Sequence, residues 1–186
     1  SNARHWFEPV QRYVADLNAG LLAATGILAA YVHRLKTGEG QRVDTSLMEA
    51  ALHQTGWHAS VWFATGTSPG PLGSGHVLAA PYQAFRARDG WIVIGGANQA
   101  NWERSCDVLG RPDWKTDPRF ADNSARMAHL PELVAAIDGV LGTRDAADWL
   151  AAFESAGVPA GPVHTIGQAL SHPQTLARRM VVDLPH

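Results

Sequence analysis

Asp16 is the side chain with the clearest chemical use. It precedes an apolar run over residues 19–32, and both Asp16 and Asn18 are acceptable N-caps for a helix starting there. A carboxylate held at a helix N-terminus stays ionised, because the aligned peptide dipoles favour the anion. Such a group can attack an activated acyl carbon or take a weakly acidic proton. A cap carboxylate with a purely local role fits the same residues, and the local sequence leaves both readings open.

Other chemistries find less support. Nine histidines invite a metal site, but no HExxH is present. His53 and His58 are five apart on a predicted helix, hence about 140° apart around its axis. They read as structural or surface histidines, and no metal is expected. Gly70-Pro71-Leu72-Gly73-Ser74-Gly75 follows no strand, has no phosphate-loop lysine and lacks GxGxxG spacing, so it reads as a linker. The one G-x-S-x-G string, at residues 66–70, follows a predicted helix and runs into a loop, so it is no strand-to-helix nucleophile elbow, and Cys106 stands between Ser105 and Asp107 with no basic residue marking it as reactive. Trp57, Trp62, Trp102 and Trp149 fall in predicted helices and read as core or interface bulk instead of a base-stacking surface.

The elements that must position Asp16 follow from periodicity. Residues 17–36 read as a helix apolar nearly all round, hence buried by several neighbours, and Thr37-Gly38-Glu39-Gly40 ends it. Residues 41–45 form a short strand candidate. Ser46-Leu47-Met48-Glu49 has capping-box spacing and opens a helix to about residue 64. Residues 65–81, rich in glycine and proline, are a loop. Tyr82-Gln83-Ala84-Phe85 and Trp91-Ile92-Val93-Ile94 flank Arg88-Asp89-Gly90 as an antiparallel hairpin. Helices are expected over 98–109, 123–141 and 144–156, a further capping box at Thr165 to Gln168, and a last short strand over 181–184.

Composition bounds the rest. Of 186 residues, 46 % are hydrophobic and 17 % charged, enough for a real core. A formal net charge of −2 gives no bulk pull toward nucleic acid or an anionic membrane, and neither is an expected partner. The single cysteine excludes an internal disulfide framework and suits a reducing, cytoplasmic setting. Ser1-Asn2-Ala3 reads as an expression scar, and residues 1–15 as tag and leader. No segment is expected to be long enough to span a bilayer. The opening helices are too apolar for this chain alone to bury, so either an identical subunit or further chain upstream should cover them.

Taken in order, several segments resemble one family. They begin with Asp16-Leu17-Asn18-Ala19-Gly20, Gly26-Ile27-Leu28-Ala29-Ala30, Arg34 and Thr37-Gly38-Glu39-Gly40-Gln41-Arg42-Val43-Asp44. They continue through Ser46-Leu47-Met48-Glu49-Ala50, where the family usually has Asp at the Glu49 position, and Pro81-Tyr82-Gln83-Ala84-Phe85. Asp89-Gly90, Trp102 to Cys106, Leu109-Gly110-Arg111-Pro112, Asp117-Pro118-Arg119-Phe120 and Ala156-Gly157-Val158-Pro159-Ala160-Gly161-Pro162-Val163 complete the set. This ordered set resembles class III coenzyme A transferases, the formyl-CoA and carnitine-CoA transferase type, with alpha-methylacyl-CoA racemase as a relative.

The resemblance implies an α/β fold of that family: long helices over 16–66 belonging or linking to a large domain, a small α+β domain over 67–157, and a return segment over 158–186. Family members are about twice this length, so the resemblance also implies that a Rossmann-like N-terminal half is missing and that the chain is a fragment. It places Asp16 as the nucleophile toward an acyl-CoA, with a carboxylic acid as acceptor, no metal, and an interlocked homodimer as the assembly. A loop that closes over the site would correspond to Gly95, Gly96, Asn98 and Gln99. The racemase has an acid near this loop and the present sequence has Asn98, which favours transfer over racemisation. A third reading is a catalytically silent dimerisation fragment.

Overall fold

Two compact units divide the chain between residues 73 and 74 in the computed structural model, which describes residues 4–184 and their side chains from residue 13 onward. The first unit opens with α1 (Arg4–Thr37). It ends at Gly38, whose φ of +80° is the left-handed conformation that glycine tolerates, with its N–H donating to the Arg34 carbonyl at 2.8 Å. α2 (Leu47–Gln54) starts on Ser46, whose Oγ accepts the Glu49 N–H at 3.1 Å, and α3 (Gly56–Thr65) follows.

Several expectations for this unit are corrected. The helix begins at Arg4, so Asp16 and Asn18 lie in its interior and cap nothing. Asn18 instead donates its side-chain N–H to the Val14 carbonyl at 2.7 Å, a bond that needs a continuous helix through both residues. Residues 41–45 are not a strand, and among the described residues no strand lies alongside to take their hydrogen bonds. The predicted helix over 46–64 is broken at Thr55, whose N–H turns back to the Leu52 carbonyl at 3.0 Å.

The expectations of a buried helix and of no membrane-length segment are corrected as well. Among the described side chains of the first unit only Ala50 is buried. Residues Tyr13–Thr37 make 25 residues of helix, long and apolar enough to cross a membrane by length and composition. Counting only residues 19–32 missed the apolar positions that extend the run at both ends. A helix buried among protein neighbours has the same composition, so the two cases differ only in what covers it.

The second unit is built on a three-stranded antiparallel sheet, β1 (Tyr82–Arg86), β2 (Trp91–Gly95) and β3 (Ala160–Pro162), in the order β1-β2-β3. The hairpin register pairs Phe85 with Ile92 and Gln83 with Ile94, while β3 pairs Gly161 with Val93. Alternation puts Phe85, Ile92 and Ile94 inward, where they meet α4 (Gln99–Val108), α5 (Asn123–Ala128), α6 (Leu130–Leu141) and α7 (Ala146–Ser155) in one core. Trp102 stacks on Trp114 with centroids 6.3 Å apart, and Phe120 meets both rings edge-on. The buried Trp149 donates its indole N–H to the Leu141 carbonyl at 2.9 Å.

The expected helix over 123–141 is two helices. Pro131 has no N–H to continue the hydrogen-bond ladder, and the chain breaks at His129 before restarting. The short β3 was not anticipated, and the expected strand over 181–184 does not form. Two short helices, α8 (Ile166–Ser171) and α9 (Pro173–Ala177), follow β3; the Thr165–Gln168 capping box opens the first of them.

Candidate functional site

The loop that leaves β2 is fixed at its start by close packing. The Gly95 N–H donates to the Pro159 carbonyl at 2.8 Å, and a Cβ at Gly95 would stand 3.3 Å from the Pro159 Cβ. Gly96 is buried, and a Cβ there would meet Ser105 Oγ at 3.0 Å and Pro81 Cγ at 3.2 Å. A side chain at position 96 would need Ser105 and Pro81 to give by a few tenths of an ångström, which favours glycine there.

Beyond the glycines the loop becomes the N-terminus of α4. Asn98 is extended and its Oδ1 accepts the Asn101 N–H at 2.8 Å. Gln99 donates to the Ala121 carbonyl at 3.0 Å and to Glu103 at 3.2 Å, and accepts from Arg126 at 3.2 Å. The amides of Asn98 and Gln99 therefore hold the loop in place. Beside them opens a cleft of about 560 Å³, lined by Tyr82, Val93, Ala97, Asn101, Pro159 and Ala160 among others. Its walls are mostly apolar, and its polar side chains are the Tyr82 phenol and the Asn98 and Asn101 amides, with no carboxylate among them.

Asp16 lies in the other unit, in the interior of α1, with an exposed side chain. A position inside a helix gives its carboxylate no help from the terminal dipole, which fades within the first turn. His53 and His58 fall on separate helices, α2 and α3, and no group of three metal-ligating side chains occurs among the described residues.

Two buried groups sharpen the picture of the second unit. Cys106 is fully buried on α4, and burial pushes its thiol up to about 12, so it is the inert kind of cysteine. Arg126 was missed by sequence reasoning. Its guanidinium is fully buried, donates to the Ala80 and Phe120 carbonyls at 2.7 and 3.0 Å, and lies over the Trp102 ring. An arginine in the predicted helix over 123–141 carries no signal that separates it from a solvated one, since its short bond to the Ala80 carbonyl reaches across 46 residues.

Comparison with known proteins bears on both units together. The acyl-CoA transferase of Fusarium pseudograminearum is 37 % identical over 172 residues, which is 92 % of this chain and 38 % of that protein. The acetyl-CoA:oxalate CoA-transferase of Acetobacter aceti is 37 % identical over 169 residues, covering 91 % of this chain and 43 % of the relative. A crystal structure of a CAIB/BAIF family protein from Brucella suis superposes with a TM-score of 0.74 at 34 % identity, over 91 % of this chain and 45 % of that one. The chain thus spans less than half the length of these relatives. Its mixture of helices with a small antiparallel sheet is part of their fold. The sequence model of CoA-transferase family III matches residues 8–186, and the chain belongs to that family.

Proposed function

We propose that the complete enzyme containing this chain moves coenzyme A from an acyl-CoA to a carboxylic acid, with Asp16 as the covalent nucleophile. The observation that carries this reading is the family match over residues 8–186. The Acetobacter relative, whose printed activity is transfer between acetyl-CoA and oxalate, supports the substrate class. Acyl-CoA and a carboxylate are substrates here, and no metal takes part in any step.

In the proposed sequence the Asp16 carboxylate attacks the thioester carbonyl and expels CoA thiolate, leaving a mixed anhydride. The thiolate then attacks the aspartyl carbonyl, releasing the donor carboxylate and forming an aspartyl-CoA thioester. The acceptor carboxylate attacks that thioester and again frees the thiolate, which finally attacks the acceptor acyl carbon and restores Asp16. Each step exchanges one activated acyl bond for another, so no external energy source is needed. An exposed carboxylate on a rigid helix suits the first attack. In the family resemblance the 95–99 loop corresponds to the loop over acyl-CoA, and the cleft beside it has mostly apolar walls with amide groups among them. Racemisation is the weaker reading, because the loop holds Asn98 where an acid would be needed and its side chain is occupied as the α4 cap.

The reading includes a homodimer that covers the apolar surface of the first unit, in a cytoplasmic protein. Its central test is chemical. After exposure to acyl-CoA, intact-mass and peptide mass spectrometry of the complete enzyme should find a CoA thioester on Asp16, and Asp16→Ala should abolish both adduct and turnover. Full activity in Asp16→Ala, with no adduct in the parent enzyme, would falsify the covalent mechanism. Uptake of α-deuterium from D₂O without any acceptor acid would point to racemisation.

A further inference from the structure

The guanidinium of Arg126 is 0 % exposed, and none of its hydrogen bonds goes to a carboxylate. Its Nε donates to the Ala80 carbonyl at 2.7 Å, and Nη1 donates to the Phe120 carbonyl at 3.0 Å and to Gln99 Oε1 at 3.2 Å. Nη2 donates to the Ala97 carbonyl at 3.2 Å. Trp102 lies against it, 5.0 Å from ring centroid to guanidinium carbon. Three segments distant in sequence thus converge on one rigid fork: the strand approach at Ala80, the end of the turn at Phe120, and the loop after β2.

The loop is gripped at Ala97 and at Gln99, the two residues that flank Asn98, the N-cap of α4. Arg126 itself does not line the cleft that Ala97 and Asn98 face. A buried cation satisfied only by neutral acceptors is costly, and burial alone draws its pKa down. Filling the same volume with apolar side chains would be cheaper for stability. The fork provides something that packing cannot, namely directional bonds that set the orientation of the Ala97 and Gln99 groups on either side of one loop residue.

We propose that Arg126 is a positioning residue that fixes the 95–99 loop in the geometry required for acyl-CoA, acting through the loop without touching substrate. This rests on the assignment of that loop to the acyl-CoA site. Lysine at 126 would present a point charge with no planar fork and would satisfy the separate carbonyls poorly. Gln99→Met removes one of the two loop-side acceptors, together with the Gln99 bonds to Ala121 and Glu103, and leaves the Ala80, Phe120 and Ala97 bonds, so it loosens one end of the grip while sparing the core.

The test uses the complete enzyme, with Arg126→Lys, Gln99→Met and, as a control that weakens the core away from the loop, Ile137→Val. Hydrogen exchange of the 96–101 amides should accelerate at least about tenfold in Arg126→Lys and less in Gln99→Met, with helices α6 and α7 unchanged. In the same variants kcat should fall by about tenfold or more with a smaller change in KM, while Ile137→Val lowers Tm and leaves both constants alone. Exchange that rises evenly across the unit, or kinetic constants that follow Tm in all three variants, would overturn the proposal. If Arg126→Lys does not fold, Gln99→Met alone decides by the same two measurements. If the parent enzyme shows no CoA transfer, the functional reading fails, and the exchange measurement still reports whether Arg126 orders the loop.

Discussion

Burial sets the chemistry of Cys106. Its thiol is 0 % exposed within α4, and desolvation pushes it up to about 12, with Lys115 only partly opposing the shift. At pH 8 about one molecule in ten thousand would then carry a thiolate, against a sizeable fraction at the ordinary cysteine pKa. The folded protein should resist iodoacetamide at pH 8 for hours and react within minutes in 8 M urea, as read by intact mass; rapid alkylation in native buffer would contradict the burial. The linkage has a definite sign. A thiol whose folded pKa is raised contributes stability that is complete below the unfolded value near 8.5 and is lost as pH rises toward 12. The sequence showed that Cys106 lacked a basic neighbour but could not show this burial, since its cover comes from segments distant along the chain. Asp16 shows the opposite failure. Its local sequence places it at a helix N-terminus, and that placement is wrong, because the helix extends back to Arg4 and Asp16 lies in its interior.

Among the elements, the turn after the Trp114 segment shows how a few charges hold a core aromatic in place. Asp117 accepts the Arg119 N–H at 2.9 Å and forms an ion pair with the Arg119 guanidinium at 2.7 Å, while its carbonyl accepts the Phe120 N–H at 2.8 Å. The Arg119 guanidinium, followed by the Arg119 backbone N–H, holds the Asp117 carboxyl down at about 2. A depressed carboxylate contributes stability above its unfolded pKa near 3.9 and loses it as pH falls toward 2. Asp117→Asn should therefore lower the urea midpoint at pH 7 and narrow its gap from the parent between pH 4 and 2; parallel curves for the two proteins across that range would refute the assignment. The hairpin was legible because Arg88-Asp89-Gly90 sits between two short runs rich in apolar residues. β3 was not, because Ala160-Gly161-Pro162 has no strand character of its own and is extended only by pairing with β2. The strands expected at 41–45 and 181–184 fail for the same reason in reverse: β-propensity without a partner makes no ladder. The 95–99 loop was placed by the family resemblance alone, whereas Arg126, whose guanidinium bonds Ala97 and Gln99, left no local pattern.

For the molecule as a whole, the informative surface is the one that this chain leaves uncovered. Leu17, Leu21, Leu28, Tyr31 and Leu35 of α1 are between 58 and 68 % exposed, and with Ala24 they recur at alternating steps of four and three, the spacing of a seam that packs against another helix. Val43 covers the opposite side of α1, where a Cβ at Gly26 would come within 2.7 Å of its Cγ1. Composition announced this apolar excess but gave it no address, because hydrophobic content measures area to be buried and not what buries it. Each leucine transferred from water into such a seam contributes roughly 1.5–3 kcal/mol, so four of them suffice for a stable helix–helix contact. A membrane would cover the helix on every side, whereas a protein partner needs only the seam. In the complete protein, light scattering without detergent should give a dimer at micromolar concentration. Leu21→Glu with Leu28→Glu, two charges at seam positions seven residues apart, should weaken that association on the order of a hundredfold or more. Leu176→Glu, on the exposed face of α9 in the other unit, should leave it unchanged. A parent protein that is monomeric under these conditions, or soluble only in detergent, would remove the proposed dimer, and dependence on detergent would assign the 25-residue helix to a bilayer instead.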